Sequence, residues 1–470
     1  MTAVVPGPPA PGRLRGSGES ELAELVSLSL DALAAGRQAR GGPVPAGDPR
    51  QVAADVDAAL SGGVLPQIGM GARAALVGLV HTVAAGAADP ADPLCAAHLH
   101  CPPLPVAVAA DLAASALNQS LDSWDQAPAA TVLEERVIAT LARLAGLTGG
   151  AGVVTTGGTG STYTALLLAR DADPRPVRLY AGAAAHFSVQ RAAHLLGLPA
   201  VVPVPPAADR ALDPAALVAL LRDAPVGERP VVVATAGTTD LGTIDPLPAV
   251  AALVRGHGGW LHVDAAYGGG LLFSDRRRHL LDGLGQADSI SLDLHKFGWL
   301  PAAAGVLLTR ETAAFAPLDR RAAYLNPADD EAAGYPSLLG RSLRTTRRAD
   351  VLKIAVTLRA LGRAGLGAMV DTCCDLAVYA AARVQAEPRL QLAAAPVLST
   401  VVFRHRGGDA VNAGLRRRLL REGRAVVGRT ELDGRVHLKL TLLNPGATPA
   451  DVDALIDLVL AAGLAAEADA

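Results

Sequence analysis

The chain has 470 residues; half are hydrophobic, 19% are charged, and 42 Lys plus Arg stand against 45 Asp plus Glu. That is material for about three ordinary domains or two large ones, with enough apolar surface to rule out global disorder. A formal charge of −3 gives no reason to expect nucleic acid or a membrane surface as partner, and 3% aromatics leave little base-stacking surface.

Residues 1–20, MTAVVPGPPAPGRLRGSGES, lack a charged start followed by a long apolar run. They read as a Pro/Gly-rich disordered tail and not as a signal peptide. From 21 to 85 the pattern is helical: Leu22, Leu25, Leu28 and Leu30 with Leu33 fall near one stripe. The best apolar run, 74–88, is interrupted by His81 and is shorter than the ~18 residues a bilayer span needs, so it reads as a soluble amphipathic helix. Beyond about 150, short β-branched runs at 153–156, 177–180, 230–235, 260–264, 289–293 and 305–309 alternate with Ala/Leu-rich helices. That alternation predicts a mostly parallel sheet covered on both faces. A helix is expected from about Asp350 through Leu361, then strands at 398–404 and 436–442 and a closing helix at 449–461. The chain divides on this reading into a tail (1–20), a helical segment (21–85), a large domain (86–350) and a small α+β domain (351–470).

The four cysteines, Cys95, Cys101, Cys373 and Cys374, are too few for a disulfide framework, and the adjacent pair is poorly placed to bond to itself. Reduced thiols of a cytoplasmic protein are expected. The run Cys95-x-x-His98-x-His100-Cys101 fits no common zinc spacing, so no metal is expected. Arg344, Arg347 and Arg348 read as partners in structural ion pairs.

Five segments at strand ends carry chemistry. Thr156-Gly157-Gly158-Thr159-Gly160-Ser161-Thr162 follows a strand and opens a helix, where free amides and hydroxyls form an anion site or an ordinary cap. It lacks the Lys-Ser/Thr ending of a P-loop, and Tyr163 stands where a dinucleotide fingerprint needs glycine. His186, in Ala185-His186-Phe187-Ser188, is by itself an ordinary histidine. Thr235 to Thr239 and Gly242 to Pro246 make a hydroxyl-rich turn. Asp264, in Leu261-His262-Val263-Asp264-Ala265-Ala266-Tyr267, is either a helix cap or a partner for a protonated pyridine nitrogen, with small alanines to admit a flat ring. Lys296, in Asp293-Leu294-His295-Lys296, lies between apolar segments; burial would disfavour its ammonium form and free the amine as a nucleophile, while snorkelling at a strand end is the simpler account. Together and in this order, a phosphate cup, a flat histidine, an acid and an amine match what pyridoxal phosphate requires.

These segments resemble the group II pyridoxal-phosphate-dependent amino acid decarboxylases: TTGGTGS, HFSV, ATAGTTDLGTIDPL, LHVDAAYGG and DLHK occur in family order at family spacing. LNQSLDSWDQAPAATVLEERV (117–137), RSLRTTRRADVLKIAVTLRALG (341–362), AAYLNP (322–327) and LKLTLLNP (438–445) look like the 2,4-diaminobutyrate and lysine decarboxylase branch. The resemblance implies an α/β fold of type I, like that of aspartate aminotransferase, and a homodimer clasped by the N-terminal helices. It implies that Lys296 anchors the coenzyme, Asp264 pairs with its ring nitrogen, and His186 and Ala266 pack on its two faces. Gly158, Thr159 and Ser161 would hold the phosphate, and Asp293 and His295 would complete the cofactor site. Thr239 would stand near the substrate carboxylate, Lys439 where glutamate-specific relatives carry an arginine, and Tyr335 is the candidate proton-returning tyrosine of a mobile loop. The sequence departs from the pattern at Gly160-Ser161-Thr162 and at FGWLP after the lysine. The expected activity is release of carbon dioxide from a diamino acid. Glutamate, aspartate, aromatic or aliphatic substrates, and aldehyde formation, aminotransfer or carbon–sulfur lysis on the same fold, are the alternatives. A non-catalytic binding protein is the other class, and intact Lys296 and Asp264 weigh against it.

Overall fold

A computed structural model describes residues 17–320 and 322–469. The large sheet is built from β1 (Ala151–Thr155), β2 (Val177–Gly182), β3 (Val202–Val204), β4 (Arg229–Thr235), β5 (Trp260–Ala265), β6 (Ser289–Asp293) and β7 (Gly305–Thr309). In space they run β1-β7-β6-β5-β4-β2-β3. Neighbours from β3 across to β6 are parallel, and β7 lies antiparallel between β1 and β6. Every residue of β4 is buried. Val231 and Val233 join the core on one face with Leu168 and Val189, while Val232 and Ala234 join the other with Leu217 and Val250. Because helices cover both faces, such a strand reads as one continuous apolar run. The fold is therefore the mixed, mostly parallel α/β type expected. β3 was not foreseen, since three residues around Pro203 show no pattern.

The second sheet is antiparallel throughout: β8 (Leu390–Leu392), β9 (Thr400–His405), β10 (Gly428–Leu432) and β11 (Arg435–Thr441), in the order β10-β11-β9-β8. β10 escaped the sequence reading, although Asp433-Gly434, both at positive φ (52° and 70°), is the two-residue turn that marks a hairpin.

Helix Val351–Ala386 runs far past Leu361, where the sequence reading stopped at the glycine; Gly362 breaks it locally (φ 64°, ψ 178°) and the helix resumes. Val351, Ile354, Val370 and Cys374 pack into the large core, whereas Leu376, Ala377 and Val384 pack into the small one. The two cores thus divide inside this helix and not at residue 350. Length and composition alone would let it cross a membrane, yet half of its apolar window is buried in the protein. A second crossing occurs at Leu94 to Ala96, whose backbone bonds Val426 and Thr441 of the small domain.

Three helices, Ser17–Arg40, Pro49–Ala59 and Ala72–Ala85, form the N-terminal segment. The first and third lie so close that a Cβ on Gly36 would meet that of Ala84 at 2.6 Å. They bury little else and leave Leu30, Val77, Leu79 and Val83 exposed. Of the expected tail, 1–16 lies outside the described residues, while 17–20 already belong to the first helix, with Glu19 favourably placed in its first turn.

Candidate active site

A cavity of about 280 Å³ opens at the carboxyl ends of β1, β4, β5 and β6, where open α/β sheets bind ligands. Its phosphate-sized corner is the turn from β1 into helix Gly158–Asp171. Gly157 sits at φ 142°, and a Cβ there would crowd the His295 ring at 3.1 Å; one on Gly305 would strike Gly157 at 2.4 Å. Only glycine lets these segments close on each other. The helix has no side-chain cap, and its first bond is Ser161 N to Gly157 O, so the amides of Gly158, Thr159 and Gly160 have no intrahelical acceptor. Free amides at a helix start attract an anion. Ser161 does not contribute: it is fully buried, with Oγ 2.7 Å from Thr155 Oγ1, because the fourth helical position turns inward. Thr156, passed over as a ligand, lines the cavity instead.

Asp264, the penultimate residue of β5, is nearly buried, and its Oδ1 accepts from Ala266 N and Ser291 Oγ, both at 3.0 Å. Ala266 lies beside it on the wall. His186 is not at a strand end but in the turn after β2, aimed by Ser188, whose backbone N–H donates to Nδ1 (3.2 Å). That acceptor role leaves the ring hydrogen on Nε2. Burial lowers the pKa of His186, against an opposing pull from Asp264, so a flat neutral imidazole faces the cavity at pH 7.

Lys296 is not held in apolar surroundings as expected. It is 20% exposed, and Nζ lies 3.1 Å from Asp293 Oδ2. His295 accepts the Ala304 N–H on Nδ1 and turns Nε2 toward the same Asp293 oxygen at 3.5 Å; burial lowers its pKa. Thr239 lines the cavity on the turn after β4. Asp245 fastens that turn by accepting from Thr235 N (2.7 Å) and Leu212 N (2.8 Å), and burial raises its pKa to about 6.

Two expected residues are elsewhere. Lys439 stands behind the wall with Nζ on Thr239 O (3.2 Å) and Asp240 Oδ1 (3.1 Å). Tyr335 is 52% exposed and packs edge-on against Trp124, beside a separate cavity of about 380 Å³; its surface segment does not reach Lys296 of the same chain. Sequence reading also missed Tyr267, whose hydroxyl bonds Ser399 and Thr400 and ties the cavity to the small domain. The aromatic directly after VDAA was the available signal. Leu99 reaches the cavity from HLHC, while Cys101 turns away to donate to His295 O.

The residues present suit a phosphorylated pyridine. Three amides await an anion, a neutral ring and a methyl offer two apolar faces, and the cavity-lining Thr235 hydroxyl and Asp293 Oδ1 are buried without protein partners. An acid at the β5 end and an amine after β6, on this mixed sheet, define a fold-type-I pyridoxal-phosphate enzyme. Residues 73–406 match the pyridoxal-dependent decarboxylase conserved domain, and the chain belongs to that family.

It is 49% identical over 411 residues to L-2,4-diaminobutyrate decarboxylase of Rhizobium meliloti (strain 1021), covering 84% of this chain and 83% of that protein. The enzyme of the same name from Acinetobacter baumannii is 36% identical over 78% of this chain and 79% of its own. Among solved structures, the glutamate decarboxylase domain of diaminobutyrate-pyruvate transaminase and L-2,4-diaminobutyrate decarboxylase from Vibrio parahaemolyticus superposes with a TM-score of 0.85 at 32% identity, over 97% of each chain. Oryza sativa TDC with PLP and tryptamine gives 0.86 at 26% identity, over 97% of this chain and 99% of that one. Fold, coenzyme, carboxy-lyase activity and family thus agree with the expectations drawn from the sequence.

Proposed function

We propose that this decarboxylase acts on L-2,4-diaminobutyrate, as a cytoplasmic homodimer. The observation that carries the substrate is the state of Lys439. The cation expected opposite an acidic side chain is already taken up by Asp240 and Thr239 O, and half-exposed Asp240 sets a carboxylate beside the substrate threonine. With Lys439 and Asp240 paired to each other, no free cation is offered here to a second carboxylate, which disfavours an acidic side chain and leaves a diamino acid as the better fit. The 49% identical relative of that name supports the same reading.

Pyridoxal phosphate, when bound, supplies an electron sink for the pair left on Cα as carbon dioxide departs. In this reading the amides of Gly158 and Thr159 hold its phosphate, and Lys296 anchors it covalently. Asp264, fixed by Ala266 N and Ser291 Oγ, keeps the ring nitrogen protonated. His186 and Ala266 would pack against the coenzyme ring and exclude water, and Thr239 would orient the substrate carboxylate, the positioning that selects decarboxylation over other bond cleavages. A panel of amino acids assayed for carbon dioxide and amine tests the substrate. The expected result is a kcat/KM for L-2,4-diaminobutyrate at least about a hundredfold above that for glutamate. Faster glutamate turnover overturns it.

The apolar residues left exposed on the N-terminal helices support the dimer. Sedimentation of the active enzyme should give two chains per particle; a fully active single-chain species rules this out. All four cysteines are free, none paired in a disulfide, which supports a compartment that keeps thiols reduced.

A further inference from the structure

Thr235 lines the cavity, and the chemistry described so far gives its hydroxyl no task. It ends β4, is 4% exposed, and its Oγ1 is buried with no hydrogen-bond partner among the described residues. Asp245 pins its backbone on both sides, accepting from Thr235 N at 2.7 Å and donating its own N–H to Thr235 O at 2.9 Å. A β-branched side chain on so fixed a strand has little freedom to turn its hydroxyl elsewhere. Left unpaired, a buried hydroxyl destabilises the chain, and valine would fill the same space without that penalty. A polar group held open in the wall of a cavity points to a ligand as its partner.

The neighbouring strands decide which part of the coenzyme it meets. β4 and β5 pair in parallel, with Thr235 in register with Asp264. Val231 and Val233 on β4, and Trp260 on β5, pack with Leu166 and Leu168 of helix Gly158–Asp171. Alternation therefore turns Thr235 and Asp264 to that same face, on strands about 4.8 Å apart. Across the sheet the order is the anion turn after β1, Lys296 after β6, Asp264 on β5 and Thr235 on β4. On pyridoxal phosphate the phosphate arm and the ring hydroxyl flank the aldehyde, one on each side, and the ring nitrogen lies across from it. With the arm drawn to the β1 turn and the nitrogen to Asp264, the hydroxyl-bearing edge faces β4. We propose that Thr235 is a coenzyme-binding residue whose hydroxyl donates to the ring hydroxyl oxygen, the polar atom that the assignments above leave without a partner. This rests on the cavity being the coenzyme site.

The test titrates the coenzyme-free full chain with pyridoxal phosphate, followed by visible absorbance, for wild type, Thr235→Val and Thr235→Ser. Valine keeps the shape of threonine and removes the hydroxyl. Without coenzyme, the denaturant midpoint of the valine variant should equal or exceed that of wild type, because an unpartnered polar group has gone. Its dissociation constant for pyridoxal phosphate should nevertheless rise about tenfold, while the serine variant, which keeps the hydroxyl, stays within about threefold of wild type. Unchanged affinity in the valine variant makes Thr235 a structural residue and overturns the proposal. With the analogue in which hydrogen replaces the ring hydroxyl, wild type and the valine variant should bind alike. A tenfold gap there would show that the threonine serves another atom, and it overturns the proposal too. If the valine variant does not fold, Thr235→Ser is compared with Thr235→Ala. Both lack the methyl, so serine should bind pyridoxal phosphate about tenfold more tightly, and equal affinities count against the proposal in the same way. Failure of the wild type to develop visible absorbance with pyridoxal phosphate would instead overturn the coenzyme site.

Discussion

Lys296→Ala should abolish amine production, lowering turnover by at least about 10⁴-fold, the scale of losing a nucleophile that works as part of a unit. The visible absorbance of the lysine-linked coenzyme should vanish with it. Lys296 is partly exposed and its ion pair is with Asp293 alone, so its removal takes little from either core. Asp293 keeps the neighbouring His295 Nε2 and the helix start. Circular dichroism and the sedimentation profile should therefore match wild type, which separates lost chemistry from lost fold. Undiminished decarboxylation by this variant is the result the assignment cannot survive.

Glu134→Ala should be among the most destabilising single changes in the chain. Glu134 and Arg347 are both 2% exposed, and Arg347 Nη1 reaches the two carboxylate oxygens at 2.8 and 3.0 Å. Glu134 Oε1 also accepts from Val154 N on β1, and the Arg347 backbone bonds Ser120 and Leu121. The pair thus joins helix Pro128–Leu144, the strand that leads into the phosphate turn, and the segment before helix Val351–Ala386. Nε and Nη2 of Arg347 are already buried without partners. Removing the carboxylate leaves the buried guanidinium without a counter-charge, with only a long bond from Nη1 to Val154 O (3.4 Å), a loss of about 3–5 kcal/mol. Replacing both residues together, as Glu134→Leu with Arg347→Met, should recover most of it, because no charge is then left in the core. Denaturant midpoints at fixed protein concentration measure both. A single variant within about 1 kcal/mol of wild type would show that the pair is not what holds these elements together.

What the sequence could disclose follows from what a linear pattern encodes. Buried parallel strands announce themselves as apolar runs, and ligands gather at their carboxyl ends, so Asp264, Lys296, His186 and the turn at Gly158 were legible as one site before any fold was known. The acid, the amine and the anion turn are local chemistry at positions the backbone pattern already marks. β3 and β10 were missed where the pattern is too short or the turn signal was not used.

Side-chain direction and long-range partnership belong to the tertiary structure. Ser161 and Thr159 are two positions apart, yet one faces the core and the other the cavity, because helical rotation separates them by about 200°. Glu134 meets Arg347 across 213 residues and Lys439 meets Asp240 across 199, pairings that no spacing rule announces. Lys439 was neutralised and Tyr335 set apart from Lys296 of its own chain by contacts of this kind. The sequence by itself determined the sheet and the coenzyme chemistry and pointed to Lys296 as the proposed anchor, because repeating patterns dictate backbone and residue type dictates reactivity. Only the folded chain decided which groups are paired, buried or left open, because those outcomes depend on the packing of segments far apart in sequence.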